Sequence, residues 1–295
     1  MRMRIGLALT AFALAAGCGS PNTSAPMVTA SPVDMMPVGA QAITTVPVPS
    51  NNGCDREASL RPGPMPAPGA MPPGSTMAAI AQRGRLIVGV DQDTNLFGFR
   101  DPATGQLEGF DIDIAREIAR NIFGDPNAVD LRVVDAGQRE SVLQSGLVDV
   151  VVRTYSITCD RKEKVDFSTT YYYANQKILA VKGSGIDSAQ ALSGKRVCSV
   201  RGTTSLPTLF ALNPRPALFA ANTWTDCLVM LQQGQVDAVS TDDVVLAGLA
   251  AQDPNLEVVG ASMGIEPYGV GVRKEDSDLV RFVNGVLERI RADGT

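Results

Sequence analysis

Apolar and polar positions after residue 76 alternate between the spacing of helices and that of strands. Apolar residues recur every three or four positions in some segments and form short continuous runs in others, with Gly84, Gly124 and Gly146 as helix ends. In order, the predicted elements are helix 77–84, strand 85–90, helix 110–124, strand 129–136, helix 138–146 and strand Val148–Val152. This order predicts an α/β open sheet.

The same succession returns in the second half of the chain. The segment LQSGLVDVVV (143–152) and the segment LQQGQVDAVS (231–240) are the same helix–glycine–aspartate–strand unit, 88 positions apart. We interpret this as two related α/β lobes rather than as a chance recurrence. Ligands of open α/β sheets bind at the carboxyl ends of the strands, so two facing lobes would share one cleft.

The first 18 residues are typical of a bacterial export signal. Arg2 and Arg4 precede an apolar run of about 13 residues, which is too short to span a bilayer. The segment AAGC (15–18) resembles a lipobox, although Ala15 stands where leucine is usual. We predict a signal peptide at 1–17 and a lipid on Cys18, which would anchor the protein to the outer face of the cell membrane. An ordinary secretory signal is the alternative.

The segment 18–76 has the composition of a spacer. Twelve of the 19 prolines lie in it, together with Gly, Ser, Thr and Asn residues and very little charge. Such a segment is expected to pack little and to be semi-rigid. We predict a proline-rich tether that separates a globular head from the membrane.

The five cysteines suggest two disulfides. With Cys18 assigned to lipid, an even number remains in an exported chain, where disulfides persist. Cys198 ends a predicted strand and Cys227 opens a predicted helix in the same region. We therefore favour Cys198–Cys227, with Cys54–Cys159 as the remainder; the other two pairings and free buried thiols stay open.

Composition excludes several classes of function. The chain of 295 residues, 44% of them hydrophobic, can bury one or two substantial cores. A net charge of −5 argues against a nucleic-acid partner. The absence of histidine removes the usual base of a serine or cysteine nucleophile and the usual metal ligand. We expect no metal, no cofactor and no catalysis, and we expect the only tryptophan, Trp224, to pack beside Cys227.

Polar residues follow the predicted strands of both halves. RTYS (153–156) with Arg161 follows one strand, and RGTT (201–204) and Asp242 follow two others. An arginine binds a carboxylate in bidentate fashion, and an aspartate accepts hydrogen bonds from an ammonium group. The N–H groups of Thr203 and Thr204 at a helix start favour an anion. Together these residues predict a site for a zwitterion.

A series of motifs resembles the polar amino-acid-binding proteins of bacterial ABC importers, solute-binding family 3. The motifs are D-x-D-x-A-x-E-I-A (111–119), L-Q-S-G-x-V-D (143–149), T-Y-S-I-T-x-x-R-K-x-K-V-D-F-S (154–168), G-K-R-V-x-x-x-x-G-T-T-S (194–205), T-D-D (241–243) and R-x-D-G-T (291–295). With the lipobox and the tether, the chain resembles in particular the actinobacterial glutamate/glutamine-binding lipoproteins. The resemblance covers Arg85–Thr295; members of the family continue beyond the last motif with a further helix.

The resemblance implies the two-lobed periplasmic-binding-protein fold of type II, which closes like a flytrap. Lobe I would comprise 77–176 and 270–295, and lobe II 177–269, with hinges near Asn175–Ile178 and Tyr268–Val272. It also implies a monomer that delivers glutamate, glutamine, aspartate or asparagine to the ABC permease subunits in the membrane.

The resemblance assigns roles to the residues at the strand ends. Arg161 would clamp the α-carboxylate of the ligand and Asp242 would bind its α-ammonium group. Hydroxyl contacts are expected from both lobes, from Thr154, Ser156, Thr203 and Thr204.

Selectivity for the ligand side chain has several candidate residues. Arg139 stands where acidic amino-acid binders of the family also carry arginine, and Arg153 adds a positive charge where small residues are frequent. Alternatively, Arg139 is a solvated residue at a helix start, and Arg153 lies at the surface or in an ion pair. Thr94 replaces an aromatic ring that many relatives place over the ligand; Phe97 or Tyr155 would substitute for it unless both belong to the core.

Two other functions remain compatible with the same fold. A cyclohexadienyl dehydratase-like lyase would use Asp242, Asp243 or Glu266 as general acid or base. The predicted ammonium partner Asp242 argues against it, because a prephenate-like substrate has no amine. An amino-acid sensor subunit, which signals through a partner protein, is the second alternative.

Overall fold

Two α/β sheets, each with helices packed on it, form the two lobes of the protein. The coordinates are a computed structural model that describes residues 36–47, 49 and 53–295; the predicted signal peptide and Cys18 lie outside the described residues. The helices are α1 Thr76–Arg83, α2 Phe110–Phe123, α3 Arg139–Gln144, α4 Cys159–Lys164, α5 Ser205–Phe210, α6 Trp224–Gln232, α7 Asp243–Ala250 and α8 Ser277–Asp293. The strands are β1 Gln41–Ile43, β2 Leu86–Val90, β3 Asp93–Thr94, β4 Gly98–Arg100, β5 Leu107–Glu108, β6 Val129–Val133, β7 Val150–Val151, β8 Asp166–Phe167, β9 Tyr172–Val181, β10 Arg196–Val200, β11 Ala217–Ala221, β12 Ala238–Asp242, β13 Leu256–Val259, β14 Ile265–Tyr268 and β15 Gly271–Val272.

The first lobe is built on the sheet β6-β2-β7-β15-β8. Its central strand β2 pairs in parallel with both β6 and β7, as the alternation of strands and helices predicts. Helices α2 and α8 bury apolar faces against it, with Ile112, Ile118 and Val286 fully buried in one core. A small antiparallel sheet, β3-β4-β5, follows β2.

The second lobe is built on the sheet β1-β11-β10-β12-β9-β13, with β14 also paired to β9. Strand β10 pairs in parallel with β11 and β12. Helices α6 and α7 pack on one face of this sheet, and Leu209 of α5 packs on the other. Within the described part of the chain, no helix combines the length and the apolarity needed to cross a membrane.

The repeated sequence unit has the same role in both lobes. The Asp149 carboxylate accepts a hydrogen bond of 2.7 Å from the backbone N–H of Ile87 near the start of β2. The Asp237 carboxylate accepts one of 2.7 Å from the N–H of Arg196 at the start of β10. In each lobe the aspartate therefore fixes the neighbouring parallel strand, and with it the loop at the opposite end of that strand.

Two strands connect the lobes. The first half of β9 pairs with β14 and its second half with β12, and the partner changes between Asn175 and Gln176. After β14 the chain returns to the first sheet as β15. These connections overlap the expected hinge segments Asn175–Ile178 and Tyr268–Val272.

The N-terminal segment differs from the expected tether. Strand β1 extends the second sheet by antiparallel pairing with β11. Further along, Leu60 packs against the core of the first lobe and Met71 is part of it. Leu60 and Met71 of this proline-rich segment pack against apolar residues of the first lobe. Strand β11 would otherwise be an edge strand with unpaired backbone groups, and β1 pairs with it.

The structure contains the two disulfides in the favoured pairing, Cys54–Cys159 and Cys198–Cys227. Their Cα–Cα distances are 5.8 and 5.6 Å, within the usual range for a disulfide. Cys198 and Cys227 are fully buried, whereas Cys54 is exposed.

Replacing both Cys198 and Cys227 by alanine should lower the free energy of unfolding by about 3–4 kcal/mol, because the bridge no longer restricts the unfolded chain. Urea-induced unfolding measures this change. A loss below about 1 kcal/mol would show that this bridge does not restrain the unfolded state as the loop-entropy argument requires.

Candidate functional site

A narrow polar cavity lies between the two lobes, and its free volume of about 10 Å³ is barely enough for one water molecule. The first lobe contributes the segment after strand β7, the start of α3 and the middle of α4. The second lobe contributes the loop after β10, the end of β12 and the first turns of α5, α6 and α7. The lining residues are Arg139, Arg153, Thr154, Ser156, Arg161, Thr203, Thr204, Ser205, Trp224, Thr241, Asp242 and Val245.

Eight of these lining residues are among the eleven ligand-site candidates of the sequence analysis. The four others were missed: Ser205 and Thr241 adjoin predicted residues in the chain, and Val245 lies one helical turn after Asp242. Trp224 packs in the hydrophobic cluster that contains Cys227, as expected, but it also lines the cavity.

Three candidates do not reach the cavity wall. The Thr94 hydroxyl donates to Asp91 over 2.6 Å. Phe97 lies in an aromatic cluster, with its ring 5.1 Å from that of Tyr172 and 6.1 Å from that of Tyr268. Tyr155 is fully buried beneath two arginines. Phe97 and Tyr155 thus pack in hydrophobic clusters and are not among the residues that line the cavity, and the expected aromatic contact with the ligand stays a prediction.

Arg139 and Arg161 of the first lobe share one acceptor in the second lobe. Each guanidinium donates to the carbonyl oxygen of Gly202 over 3.0 Å. Gly202 has φ +72°, and a Cβ atom at this position would lie 2.5 Å from the Cα atom of Gly137. Only glycine allows the loop to approach the first lobe this closely.

Other donors of these two arginines bind backbone oxygens of the first lobe, and the Nε atom of Arg161 lies 4.0 Å from the Glu140 carboxylate. Arg161 donates to the carbonyl of Ser156 over 2.6 Å, and Arg139 donates to the carbonyl of Ala136 over 2.8 Å. Both guanidinium groups also lie over the Tyr155 ring, 4.4 and 4.9 Å from its centroid. The sequence motif gave no indication of this aromatic support.

Burial and the neighbouring positive charges destabilise the charged form of Arg139. Burial, and next the charges of Arg161 and Arg153, lower the pKa of Arg139 to about 9. A cluster of guanidinium groups under mutual repulsion favours the entry of an anionic group.

Arg153 forms a buried ion pair with Asp91, at 3.0 Å, with both side chains almost fully buried. Burial alone would raise the pKa of Asp91, but Arg153 and neighbouring hydrogen bonds hold it below the usual value. The Nε atom of Arg153 is buried and has no hydrogen-bond partner among the described residues. Asp91 was not predicted, although an aspartate directly after a buried strand is a signal for such a role.

Asp111 does not line the cavity but positions Thr154, which does. Its carboxylate accepts hydrogen bonds of 2.7 Å from the N–H of Thr154 and from the hydroxyl of Tyr171. These contacts hold Thr154 at φ +37°, a conformation that β-branched residues rarely adopt. Burial raises the pKa of Asp111 to about 6. An acidic residue on the apolar face of α2 was the available signal for this role.

Asp242 is the acidic residue of the cavity wall. One carboxylate oxygen accepts a hydrogen bond from the hydroxyl of Tyr268, and the other, Oδ1, is buried without a partner among the described residues. Burial, and next the charge of Glu266, raise the pKa of Asp242 to about 7.

The two threonines of the second lobe hold the loop that faces the arginines. Thr203 donates its hydroxyl to the carbonyl of Val200 over 2.7 Å, and Thr204 donates to Glu266 over 2.9 Å. Asp93 of the first lobe accepts a hydrogen bond of 2.8 Å from the N–H of Trp224 at the start of α6. The lobes therefore contact each other on two sides of the cavity.

Comparison with known proteins identifies the family of this chain. The family model described as bacterial extracellular solute-binding proteins, family 3, matches residues 86–295. The ABC transporter glutamine-binding protein GlnH of Bacillus subtilis is 38% identical over 220 residues, covering 74% of this chain and 81% of that protein. The glutamate-binding protein GluB of Corynebacterium efficiens is 32% identical, covering 75% and 79%.

A solved structure of an ancestral arginine-binding protein bound to glutamine is also similar. It has a TM-score of 0.67 and 36% sequence identity, covering 72% of this chain and 94% of that one.

The raised pKa of Asp242 predicts how stability depends on pH. The native protein retains a proton that the unfolded chain releases near pH 3.8. The free energy of unfolding should therefore fall as the pH rises from about 4 to about 7, by at most about 1.4 kcal/mol per pH unit, and level off above. The raised pKa of Asp111 also lowers the free energy of unfolding as the pH rises.

Asp242→Asn should remove part of this dependence, because asparagine does not titrate. Urea unfolding at pH 5, 6, 7 and 8 compares the two proteins, with Asp113→Asn on the exposed side of α2 as the matched control. Profiles of equal slope for wild type and Asp242→Asn would contradict the raised pKa.

Proposed function

We propose, because this chain belongs to the bacterial extracellular solute-binding proteins, family 3, that it binds a polar or acidic L-amino acid between its two lobes. In this proposal it is the extracytoplasmic substrate-binding lipoprotein of an ABC importer, anchored through Cys18, that delivers the ligand to the permease subunits. The ligand is glutamate, glutamine, aspartate or asparagine.

The observation that carries the proposal is the placement of opposite charges in opposite lobes. Arg161 lines the cavity from the first lobe and Asp242 from the second. The unpartnered Oδ1 atom of Asp242 fits the α-ammonium group of an amino acid. Arg161 fits the α-carboxylate, which is a stronger acceptor for a guanidinium group than the backbone oxygens it now contacts.

Because the two charges lie in different lobes, a ligand that contacts both of them stabilises the closed arrangement. A ligand bound to Arg161 and Asp242 together interacts more strongly with the closed arrangement than with an open one. Such a difference in binding energy is what a ligand-driven closure requires.

The cavity wall also supports a ligand with an oxygen atom on its side chain. The Nε–H of Arg153 is an unused donor in the wall, so it fits a side-chain carboxylate or amide oxygen. Since Asp91 compensates the charge of Arg153, a neutral amide is acceptable at this position as well as a carboxylate.

Binding of L-glutamate, L-glutamine, L-aspartate and L-asparagine to the wild type should be saturable in isothermal titration calorimetry. Arg161→Ala should weaken binding at least about a hundredfold, because it removes two charge-assisted hydrogen bonds of about 1.5–3 kcal/mol each. Arg120→Ala on α2, which removes an arginine paired with Glu117, is the matched control and should bind like the wild type. Unchanged binding by folded Arg161→Ala would contradict the proposed carboxylate contact.

Asp91→Asn should change the preference between glutamate and glutamine. Without the aspartate the charge of Arg153 is uncompensated, so the ratio of glutamate to glutamine affinity should rise by roughly tenfold, which corresponds to about 1.4 kcal/mol. Calorimetry with both ligands measures the ratio, and thermal unfolding verifies that the variant is folded. An unchanged ratio would place the ligand side chain elsewhere.

A further inference from the structure

A β-hairpin of the first lobe reaches into the second lobe. The β3–β4 hairpin consists of strands β3 and β4 and the turn between them, residues 93–100. It starts two residues after Asp91, at the end of the central strand β2. Its tip contacts helices α6 and α7, which both belong to the second lobe.

Asp93 contacts the start of helix α6. Its carboxyl oxygen Oδ2 accepts hydrogen bonds from the backbone N–H groups of Trp224 and Thr225, over 2.8 and 3.4 Å. The side chain of Thr223 caps the N–H of Asp226 in the same turn. Because the first N–H groups of a helix have no partner within the helix, Asp93 supplies an acceptor that α6 itself lacks.

Asn95 lies against helix α7 at a glycine. A Cβ atom at Gly248 would lie 2.9 Å from the Cβ atom and 3.1 Å from the carbonyl oxygen of Asn95. Gly248 is buried in the interior of α7, where alanine would favour the helix more than glycine does. The helix therefore does not need a glycine here, whereas the close approach of the hairpin tip does.

Phe97, on the other side of the turn, packs where the chain passes between the lobes. It belongs to a hydrophobic cluster with Tyr268 of β14, and Val244 of α7 packs against the same cluster. Val244 and Gly248 are four residues apart, so they lie on one face of α7. That face receives the hairpin at two points, beside Phe97 and at Asn95.

The tip of the hairpin is held within the first lobe by the start of α2. The carbonyl oxygen of Leu96 accepts a hydrogen bond of 2.8 Å from the N–H of Phe110. The carbonyl oxygen of Phe97 accepts one of 2.9 Å from the N–H of Asp111. Leu96 has φ +73°, a conformation that leucine keeps only where its surroundings impose it. The tip therefore moves with the first lobe, and separation of the lobes takes it away from α6 and α7.

The two helices that receive the hairpin also carry residues of the cavity wall. Trp224 is the first residue of α6, and α7 begins directly after Asp242. The hairpin thus fixes both helices against the first lobe through contacts that do not involve Gly202 and the arginines.

We propose that the β3–β4 hairpin is a latch that stabilises the closed arrangement of the lobes, with Asp93 and Gly248 as its positioning residues. When the lobes separate, the N–H groups of α6 exchange Asp93 for water and Asn95 leaves the face of α7. The latch rests on contacts within the chain alone, whereas its effect on ligand affinity rests on the proposed function.

A probe of opening is present in the chain itself. Trp224 is the only tryptophan, it is 3% exposed, and it lines the cavity between the lobes. Opening of the lobes exposes its ring, so quenching of its fluorescence by acrylamide reports how far and how often the cleft opens. The measurement is made without an amino-acid ligand, so a failure of the proposed function does not affect it.

Gly248→Ala in the full chain tests the steric part of the latch. The added methyl group suits a helix but overlaps with Asn95 in the closed arrangement, so the quenching constant should rise at least about twofold. Ala247→Ser, at the neighbouring exposed position of α7, is the matched control and should be quenched like the wild type.

Two substitutions of Asp93 test the hydrogen-bonded part of the latch. Asp93→Ala removes the acceptor and should raise the quenching constant at least about twofold. Burial, and next the charge of Asp91, raise the pKa of Asp93 to about 8, so asparagine resembles the neutral carboxyl group. Asp93→Asn keeps an acceptor oxygen and should therefore be quenched like the wild type. Equal quenching of the alanine and asparagine variants would reject the hydrogen-bonding role of Asp93.

Two results would overturn the latch. The first is quenching of Gly248→Ala and Asp93→Ala that equals that of the wild type, which would show that the hairpin does not hold the lobes together. The second is raised quenching with an unchanged radius of gyration in small-angle X-ray scattering, which would show a local exposure of Trp224 instead of opening.

The kinetics of ligand binding give a second test. With whichever of the four amino acids binds the wild type most tightly, Gly248→Ala should raise the dissociation rate at least about tenfold and change the association rate by less than about twofold, because the ligand enters the open arrangement. Stopped-flow fluorescence measures both rates. Equal dissociation rates would contradict the latch. No binding by the wild type, with raised quenching in the variants, would reject the proposed function and support the latch.

Discussion

The burial of three guanidinium groups between the lobes is the constraint on which the cleft depends. A buried charge without partners is costly; Arg153 has a close acidic partner in Asp91, at 3.0 Å, whereas the carboxylate nearest to Arg161, that of Glu140, is 4.0 Å away. Arg139 and Arg161 instead use backbone carbonyls of both lobes and the face of the Tyr155 ring. The loop at Gly202 must approach closely to supply its oxygen, which explains why glycine is required there. The contact between the lobes is thus formed by the same side chains that we propose bind the ligand.

This arrangement connects binding with movement of the lobes. A carboxylate is a stronger acceptor for these donors than a carbonyl oxygen, so a ligand strengthens a contact that the closed protein already makes. On the opposite wall, Asp242 is held by Tyr268 of the connecting strand β14, next to the point where the chain passes between the lobes. The proposed ammonium partner and the connection between the lobes are therefore in direct contact.

The sequence was informative where local chemistry decides the structure. The glycine-terminated helices and the repeated aspartate unit predicted the two α/β lobes, and hydroxyl, arginine and aspartate residues at strand ends predicted most of the cavity wall. Asp91 and Asp111 were missed because their partners, Arg153 and the N–H of Thr154, are distant in the chain. Phe97 and Tyr155 do not line the cavity, and sequence alone does not distinguish a ring over a ligand from a ring beneath an arginine. The contacts of the N-terminal segment were missed because its composition resembles a spacer, whereas its attachment depends on an edge strand and on one cysteine far along the chain.

The most direct test of the proposed ammonium contact removes each of its two partners in turn, Asp242 from the protein and the α-amino group from the ligand. Titration calorimetry would compare wild type and Asp242→Asn, each with the tightest-binding of the four amino acids and with its analogue that lacks the α-amino group. We expect the wild type to bind the analogue at least about a hundredfold more weakly than the amino acid, a loss of about 2.7 kcal/mol. We also expect that Asp242→Asn shows little of this difference, because its ammonium contact is already gone. An equal loss in both proteins would show that the ammonium group does not meet Asp242, and the placement of the ligand between the two charges would be wrong.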